Sequence, residues 1–298
     1  MTTRVLLLLS ILVLTARAVC AQAWVAPAGI GSVSIAAQRI ANTGHFVDDG
    51  QRLDVGQSTD ASVYVEAEYA ATDRLSLSLG IPYVMSRYTG GTAVPFPLQP
   101  VDLCRCWNRG WQDVGVRARY NLVSGSFGLT PSIQFGVPSH AYNYRGEAVI
   151  GRALKEIQFG LDAGQRLDAL SPRLSVQGSY SYSVVERKLD IPNNRSIAGV
   201  EVAVALNRRL SARWLSSWQR THGGLTVQDV VTADLVAQHD RLLRDNYWRT
   251  GFGAAYSTPH VDFFASYIAY AQGTDSHAGR VMTGGISWPF EITRARKP

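Results

Sequence analysis

Apolar residues alternate with small or polar residues in about twelve short segments along the chain. The run from Leu75 to Ile81 is the clearest example, because leucines occupy alternate positions with serine or glycine between them. The segment 174–184 repeats the pattern, with leucine, valine and tyrosine on one face and serine and glutamine on the other. A period of two residues predicts β-strands with two different faces. The chain is therefore expected to be an all-β protein.

The gaps between these segments are alternately short and long. The predicted strands cover 32–40, 61–70, 74–86, 111–122, 127–138, 154–166, 173–186, 197–206, 210–221, 246–257, 260–271 and 279–290. The gaps after every second strand are short and contain the Gly, Pro, Asn, Asp and Ser that are typical of tight turns. The longer gaps are 41–60, 87–110, 139–153, 187–196, 222–245 and 272–278.

This alternation of gap length is typical of barrels that cross a membrane with strands. It predicts a transmembrane antiparallel up-and-down β-barrel of about 12 strands, with short periplasmic turns and long extracellular loops. A soluble sandwich or propeller is the alternative, and it would not readily produce such a regular alternation. In the barrel the apolar face meets lipid and the polar face lines the lumen.

Aromatic residues at the strand ends agree with a membrane-spanning barrel. Tyrosine and tryptophan prefer the headgroup region, where the ring lies in lipid and the polar tip meets water. The residues expected in such belts are Tyr69, Tyr83, Tyr120, Phe127, Trp248, Tyr256 and Phe290.

The N-terminus predicts export. Arg4 precedes the apolar run 5–14, and the small residues Val19 and Ala21 follow at the positions that signal peptidase prefers. The run is too short to cross a bilayer as a helix. We therefore expect a secretory signal peptide at 1–21, the barrel at 22–290, a basic C-terminal tail at 291–298, and a location in the bacterial outer membrane.

The last strand predicts how the barrel enters the membrane. Met282, Gly284, Ile286, Trp288 and Phe290 share one face. An amphipathic final strand that closes on an aromatic residue resembles the signal by which bacterial outer-membrane barrels are recognised for insertion. The expected partners are the barrel-insertion machinery, through the strand ending at Phe290, and outer-membrane lipids.

The net charge of +6 is scattered along the chain, so nucleic-acid binding is not expected.

Charged residues gather on the predicted lumen face. An arginine or lysine facing lipid near the midplane would cost about 2–4 kcal/mol, which supports this segregation. The third strand has only small residues or proline at its inward positions, so acidic residues of the second strand can reach basic residues of the fourth. The candidate lumen-lining ion-pair network comprises Glu66, Glu68, Arg117, Arg119, Glu156, Asp162, Glu201, Arg213 and Arg249.

Two other groups of residues have reactive chemistry. Cys104 and Cys106 lie between strands, where an oxidising compartment allows either a loop disulfide or free thiols. His222 and the pair His239–Asp240 are the candidate catalytic residues of an outer-membrane hydrolase. Adjacent residues in an extended segment point in opposite directions, so we predict no His239–Asp240 dyad. No Ser-His-Asn or similar signature is recognisable, so no enzyme is expected. The two thiols lack nearby histidines and the aspartates lack the spacing of a calcium site, so neither a metal site nor a cofactor is expected. The loop 222–245 is expected either to form a short helix over the barrel mouth or to stay mobile.

The strand number limits what could pass through the barrel. About 8 strands give an interior filled by side chains and about 16 give an open channel, so twelve predict a narrow or loop-restricted pore.

The segments 111–122, 129–139 and 71–83 resemble the phenol-degradation meta-pathway outer-membrane protein family. The resemblance implies a passive uptake channel for small hydrophobic or aromatic solutes and assigns no residue to a site. A structural or adhesive barrel with a plugged lumen is the alternative.

Overall fold

The computed structural model describes residues 23–54, 56–90, 99–226, 229 and 232–292. The strands are β1 (Ile30–Phe46), β2 (Arg52–Leu53), β3 (Ser58–Ala70), β4 (Leu75–Tyr88), β5 (Asn108–Trp111), β6 (Asp113–Tyr120), β7 (Phe127–Pro138), β8 (Glu156–Arg166), β9 (Leu174–Val185), β10 (Asn193–Ala205), β11 (Leu210–Gly223), β12 (Asn246–Ser257), β13 (Asp262–Thr274) and β14 (Ser276–Glu291). Short helices are α1 (Pro100–Leu103), α2 (Ala233–Ala237) and α3 (His239–Leu242). Across these residues no helix is long and apolar enough to cross a membrane. The predicted signal peptide and residues 293–298 of the predicted tail lie outside the described residues.

The sheet closes on itself as a barrel. Each wall strand pairs with its antiparallel neighbours in chain order, and β14 returns to pair with β1 from Ile30 opposite Glu291 to Phe46 opposite Ser276. β5 and β6 both pair with β4 and form one wall strand interrupted at Gln112, while β2 pairs only with the end of β1. The wall therefore has 12 strands, which confirms the predicted antiparallel barrel.

Each predicted strand matches one wall strand, but several extend further on the side of the long loops. β1 continues to Phe46, and β13 and β14 are joined by Asp275 alone, whose φ is 51°. The prediction of a loop at 272–278 is therefore wrong. Its Gly, Thr, Asp and Ser residues suggested a turn, whereas the β12 and β13 backbones remain paired out to Asn246 and Thr274.

The outer wall is apolar. Leu79, Phe159 and Phe252 are 53%, 52% and 69% exposed, and other large apolar side chains surround them. In water such a continuous band would be unfavourable, at about 25 cal/mol for each Å² of apolar surface. A lipid bilayer removes this cost, and the closed sheet leaves none of the described wall strands with an unpaired edge in the hydrocarbon. The protein is therefore an outer-membrane β-barrel.

Aromatic side chains mark both rims of this band. Tyr120, Phe127 and Phe290 are exposed at the rim of the short turns. On the opposite rim, the rings of Tyr83 and Trp111 pack edge to face at 5.2 Å, and those of Trp218 and Trp248 stack at 6.2 Å. Two belts at the ends of the strands fit the two lipid–water interfaces.

Candidate functional site

Ion pairs cross the inner wall on both sides of β6. Arg119 Nη1 lies 2.9 Å from Glu68 Oε1 on β3, and this contact passes over the serines of the intervening β4. Ser76 and Ser78 are the β4 residues opposite Arg119 and Arg117. Their side chains are short, so a guanidinium can reach over β4 to the next strand.

Arg117 extends toward β8, on the opposite side of β6 from the partner of Arg119. Its Nη2 lies 3.1 Å from Asp162 Oδ2 on β8 and donates to Ser132 Oγ on the intervening β7, also at 3.1 Å. Glu66 instead accepts a hydrogen bond from the Tyr64 hydroxyl at 3.1 Å. Arg117 and Arg119 therefore connect β3, β6 and β8 around the inside of the barrel.

The remaining candidate residues lie in separate groups. Arg213 Nη1 lies 3.9 Å from Glu201 Oε1 on the neighbouring strand. Glu156 forms ion pairs with Arg195 and, at 3.7 Å, with Arg152. The sequence reasoning missed both of these arginines because each falls in a predicted loop.

Arg249 pairs differently from the other lumen arginines. Its Nε donates to Ser217 Oγ at 2.9 Å, and its guanidinium lies 5.3 Å from the centre of the Tyr247 ring. The ring of Tyr247 in turn packs against Tyr270 at 5.0 Å. The wall near Arg249 is thus aromatic and cationic.

The segment that follows the predicted signal peptide enters the periplasmic end of the lumen. The Ala23 carbonyl oxygen accepts hydrogen bonds from Asn121 Nδ2 at 3.2 Å and from Thr130 Oγ1 at 2.9 Å. The Trp24 carbonyl oxygen accepts one from Arg119 Nη2 at 2.9 Å. Ala23 is fully buried, so its backbone needs these partners.

Glycines make room for this segment. A Cβ atom at Gly128 would lie 2.5 Å from the Ala23 carbonyl oxygen, and one at Gly164 would lie 2.6 Å from Ala23 Cβ. These two glycines face each other on β7 and β8. They leave a recess in the inner wall that Ala23 and Trp24 fill, and this occupies part of the periplasmic opening.

Three of the described loop segments contact one another over the extracellular opening, and we call 99–107, 139–155 and 232–245 together the loop cap. Asp102 links the first segment to the second, because its Oδ1 accepts hydrogen bonds from the backbone N–H groups of Glu147 at 3.0 Å and Ala148 at 2.8 Å. Ala148 and Leu242 are each 0% exposed, so apolar side chains of two segments are buried inside the loop cap.

The third segment of the loop cap contains α2 and α3, as one of the two expectations for the loop 222–245 stated. Arg145 Nη2 pairs with Asp234 Oδ1 at 2.7 Å, and the guanidinium of Arg241 lies 3.9 Å from the centre of the Tyr144 ring. The backbone N–H of Gly146 donates to the Ala237 carbonyl at 3.0 Å. These contacts fix the helices against residues 144–146.

His239 holds two carboxylates within the loop cap. Its Nδ1 lies 3.4 Å from Glu147 Oε1 and 3.0 Å from Asp240 Oδ1. The prediction that His239 and Asp240 point apart is wrong, because it assumed extended backbone and the two residues begin helix α3. His222 lies elsewhere, with Nε2 2.8 Å from Ser196 Oγ on an exposed surface.

Burial and mutual charge shift the acid–base properties of this group. Burial and the charge of Glu147 raise the pKa of Asp240 to about 7, against the opposing effect of His239. Burial is the largest single effect on Glu147 and would raise its pKa, but the charge and hydrogen bond of His239, together with the charges of His45 and His277, bring the pKa down to about 2. Burial disfavours the charged form of His239, yet the two carboxylates raise its pKa well above its usual value.

Among the described residues, one cavity of about 580 Å³ lies beneath the loop cap and extends along β1, β3 and β4. Its lining is mixed, with the apolar Ile40, Val84, Val149 and Ile150 beside polar residues that include Glu147 and Asp240. A smaller cavity, about 290 Å³, lies against β8 to β13 and is lined by Asp162, Gln177, Ser179, Glu201, Ser217, Arg249 and Ile268, among others.

Cys104 and Cys106 are joined by a disulfide directly after helix α1. The bond closes a small ring in the first segment of the loop cap. It lies two residues from Asp102, the carboxylate that anchors this segment to the second one.

Comparison with known proteins shows the fold. No protein-family model and no curated protein sequence matches the chain. An outer membrane channel from Pseudomonas putida F1 is similar in structure, with a TM-score of 0.69, 12% identity, and coverage of 91% of this chain and 98% of that one.

Two further solved structures resemble the barrel less closely. The translocator domain of the autotransporter NalP from Neisseria meningitidis has a TM-score of 0.51 and 11% identity, with 89% of this chain and 90% of that chain covered. The β-domain of the Bordetella autotransporter BrkA has the same TM-score and identity, with coverage of 88% and 100%. At such low identity these likenesses establish the architecture alone, and that architecture is the outer-membrane β-barrel.

Proposed function

We propose that this barrel is a channel for passive entry of small hydrophobic or aromatic molecules across the outer membrane. The cavity of about 580 Å³ beneath the loop cap is the observation that carries the proposal. Sites for small organic ligands usually have volumes of about 300–1,000 Å³ and combine an apolar lining with a few polar groups.

Part of the lining of this cavity suits such a solute. Ile40, Val84 and Ile150 give an apolar surface, while Tyr64 and Tyr270 add aromatic rings with polar hydroxyls. A flat, uncharged molecule can pack against this part of the wall. The lining also contains the charged or titratable residues Asp60, Glu147, Arg152, Asp240, Asp245 and His277.

The charged groups of the wall favour an uncharged solute as well. Arg117, Arg119 and Arg213 are each engaged with a carboxylate of the wall. A free ion would have to compete with these pairs for its counter-charge. The ion pairs therefore stiffen the narrow lumen more than they attract ions.

Passage requires movement at both ends. The loop cap covers the extracellular opening, and Ala23 and Trp24 occupy part of the periplasmic one. Their few hydrogen bonds can break without opening the barrel wall, since the wall strands are paired with each other. The channel is thus expected to conduct weakly until the segment at Ala23 leaves its recess.

Uptake measurements test the proposal. Cells with an intact lipopolysaccharide leaflet should take up radiolabelled toluene faster when they produce the wild-type barrel than when they carry an empty vector. The double variant N121L/T130V removes both donors to the Ala23 carbonyl and should increase uptake further. The matched control S34A/S287A removes a lumen hydrogen bond between β1 and β14 and should leave uptake unchanged.

A structural or adhesive barrel with a plugged lumen is the second candidate, because both openings are occupied. It predicts that neither the wild type nor N121L/T130V increases toluene uptake. In planar bilayers it also predicts no conductance for either protein. Together these two results would contradict the channel proposal and support the plugged barrel.

A further inference from the structure

A mixed cluster of imidazole and carboxylate groups lies where the loop cap meets the barrel. Glu147, His239 and Asp240 each direct one potential metal-ligand atom toward the others, and these atoms all lie within 4.8 Å of one another. Glu147 comes from the second segment of the loop cap, and His239 and Asp240 come from helix α3 of the third.

The distances match those of a bound cation. Zinc bonds of about 2.0–2.1 Å in tetrahedral geometry separate two ligand atoms by about 3.3 Å. His239 Nδ1 lies 3.4 Å from Glu147 Oε1 and 3.0 Å from Asp240 Oδ1. Small side-chain shifts would therefore place all three atoms around one ion.

The charge balance also favours a cation. Glu68, Asp162 and Glu201 in the lumen each pair with an arginine, whereas Glu147 and Asp240 both contact His239. Asp240 Oδ1 is shielded from solvent, and its 3.0 Å contact with His239 Nδ1 is the one that a bound ion would replace.

Two more histidines come from the barrel wall beside this cluster. His45 on β1 is 7% exposed, and its ring centre lies 6.4 Å from that of His239. His277 on β14 also lies beside His45, with ring centres 4.5 Å apart. His45, whose ring approaches that of His239, is the candidate fourth ligand.

We propose that Glu147, His239 and Asp240 bind a divalent transition-metal ion, with zinc as the simplest case and His45 completing the site. Imidazole together with carboxylate suits zinc and its neighbours in the first transition row, whereas calcium and magnesium prefer oxygen ligands alone. The ion would join α3 to residue 147 and, through His45, to the barrel wall. It would hold the loop cap closed over the larger cavity.

Calorimetric titration with zinc chloride tests the site in the full-length barrel, purified in detergent without a polyhistidine tag. The wild type should bind one ion. Glu147→Gln and His239→Ala should each weaken binding at least about tenfold, the smallest loss expected even for removing an outer partner of a metal ligand. The control His222→Ala removes an exposed histidine bonded to Ser196 and should bind zinc as the wild type does.

Cobalt gives an independent readout. Co²⁺ added to the wild type should produce the visible absorption band of a four-coordinate site with nitrogen and oxygen ligands, and zinc should displace it. Heat-dependent migration on a gel shows which variants are folded. If a variant fails to fold, the wild-type cobalt spectrum still tests the site: the band supports the proposal, and its absence contradicts it.

Three results would overturn the proposal. They are a wild type that binds no zinc, equal binding by the wild type and folded His239→Ala, or an equal loss in His222→Ala. The channel proposal is tested separately by toluene uptake and does not depend on these outcomes.

Discussion

Arg119 and Glu68 form an ion pair across a strand to which neither belongs, with Nη1 and Oε1 2.9 Å apart. The same guanidinium donates through Nη2 to the carbonyl oxygen of Trp24. One side chain therefore joins the barrel wall to the segment that occupies its periplasmic end.

Replacing Arg119 by alanine should destabilise the barrel. The change leaves the Glu68 carboxylate without its cation and the Trp24 carbonyl without its donor. Both groups are only partly buried, so we expect the lower part of the range of about 1–3 kcal/mol that an unsatisfied buried group costs. Urea unfolding of the barrel in lipid vesicles measures the loss. Arg166→Ala, at the exposed end of β8, is the control and should change stability by less than about 0.5 kcal/mol. Equal stability of R119A and wild type would contradict the role of the pair.

Charge reversal at Arg117 should be more harmful than neutralisation. A glutamate there would lie beside Asp162, which now approaches Arg117 at 3.1 Å, and the like charges would repel each other. R117E should lower both the stability and the single-channel conductance, and the swap R117E/D162R should recover part of each. If R117E left stability and conductance unchanged, the ion-pair network would lose its support.

Filling the recess at Gly164 should displace the N-terminal segment. A valine at this position would place its Cβ 2.6 Å from that of Ala23, which is too close for both to remain. We expect G164V to raise single-channel conductance and to increase the solvent quenching of Trp24 fluorescence in a protein whose other tryptophans are replaced. Gly136→Ala is the matched control, since a Cβ there would meet Glu156 Cβ at an ordinary 3.8 Å. Equal conductance of both variants would argue against the segment as an obstruction.

A charge on the outer wall should impede membrane folding. Leu79 is 53% exposed on β4, where an arginine facing lipid costs about 2–4 kcal/mol near the midplane. L79R should lower the free energy of unfolding in vesicles by this amount. Leu170→Arg is the control, because Leu170 is 78% exposed in the turn between β8 and β9, where water reaches it. A loss in L170R as large as that in L79R would show that Leu79 does not face lipid.

The strands and their faces could be predicted because side-chain direction along a strand is a local property. Leu75, Leu77 and Leu79 point the same way whatever their neighbours are. The partner of each charged residue could not be predicted in this way. Arg117 and Arg119 lie on the same face of β6, yet one reaches β8 and the other β3. That choice depends on the tilt and stagger of the strands, which only the closed barrel fixes.

The site residues that the sequence reasoning missed lie in loops or at strand ends. Glu147 and His45 have no periodic pattern around them, and His239 was assigned to extended backbone. The helix at 239–242 brings His239 and Asp240 to the same place and turns them toward Glu147. In the sequence, the feature that points to this cluster is the presence of several His, Asp and Glu residues in the long loops.

The sequence by itself determined a barrel with a lipid-facing side and a polar lumen, because a period of two residues separates the two faces of every strand. Only the tertiary structure decided that Ala23 fills a recess in the inner wall and that three loop segments join into the loop cap. These contacts connect parts of the chain that are distant in sequence, and the closing of β14 onto β1 is what brings them together.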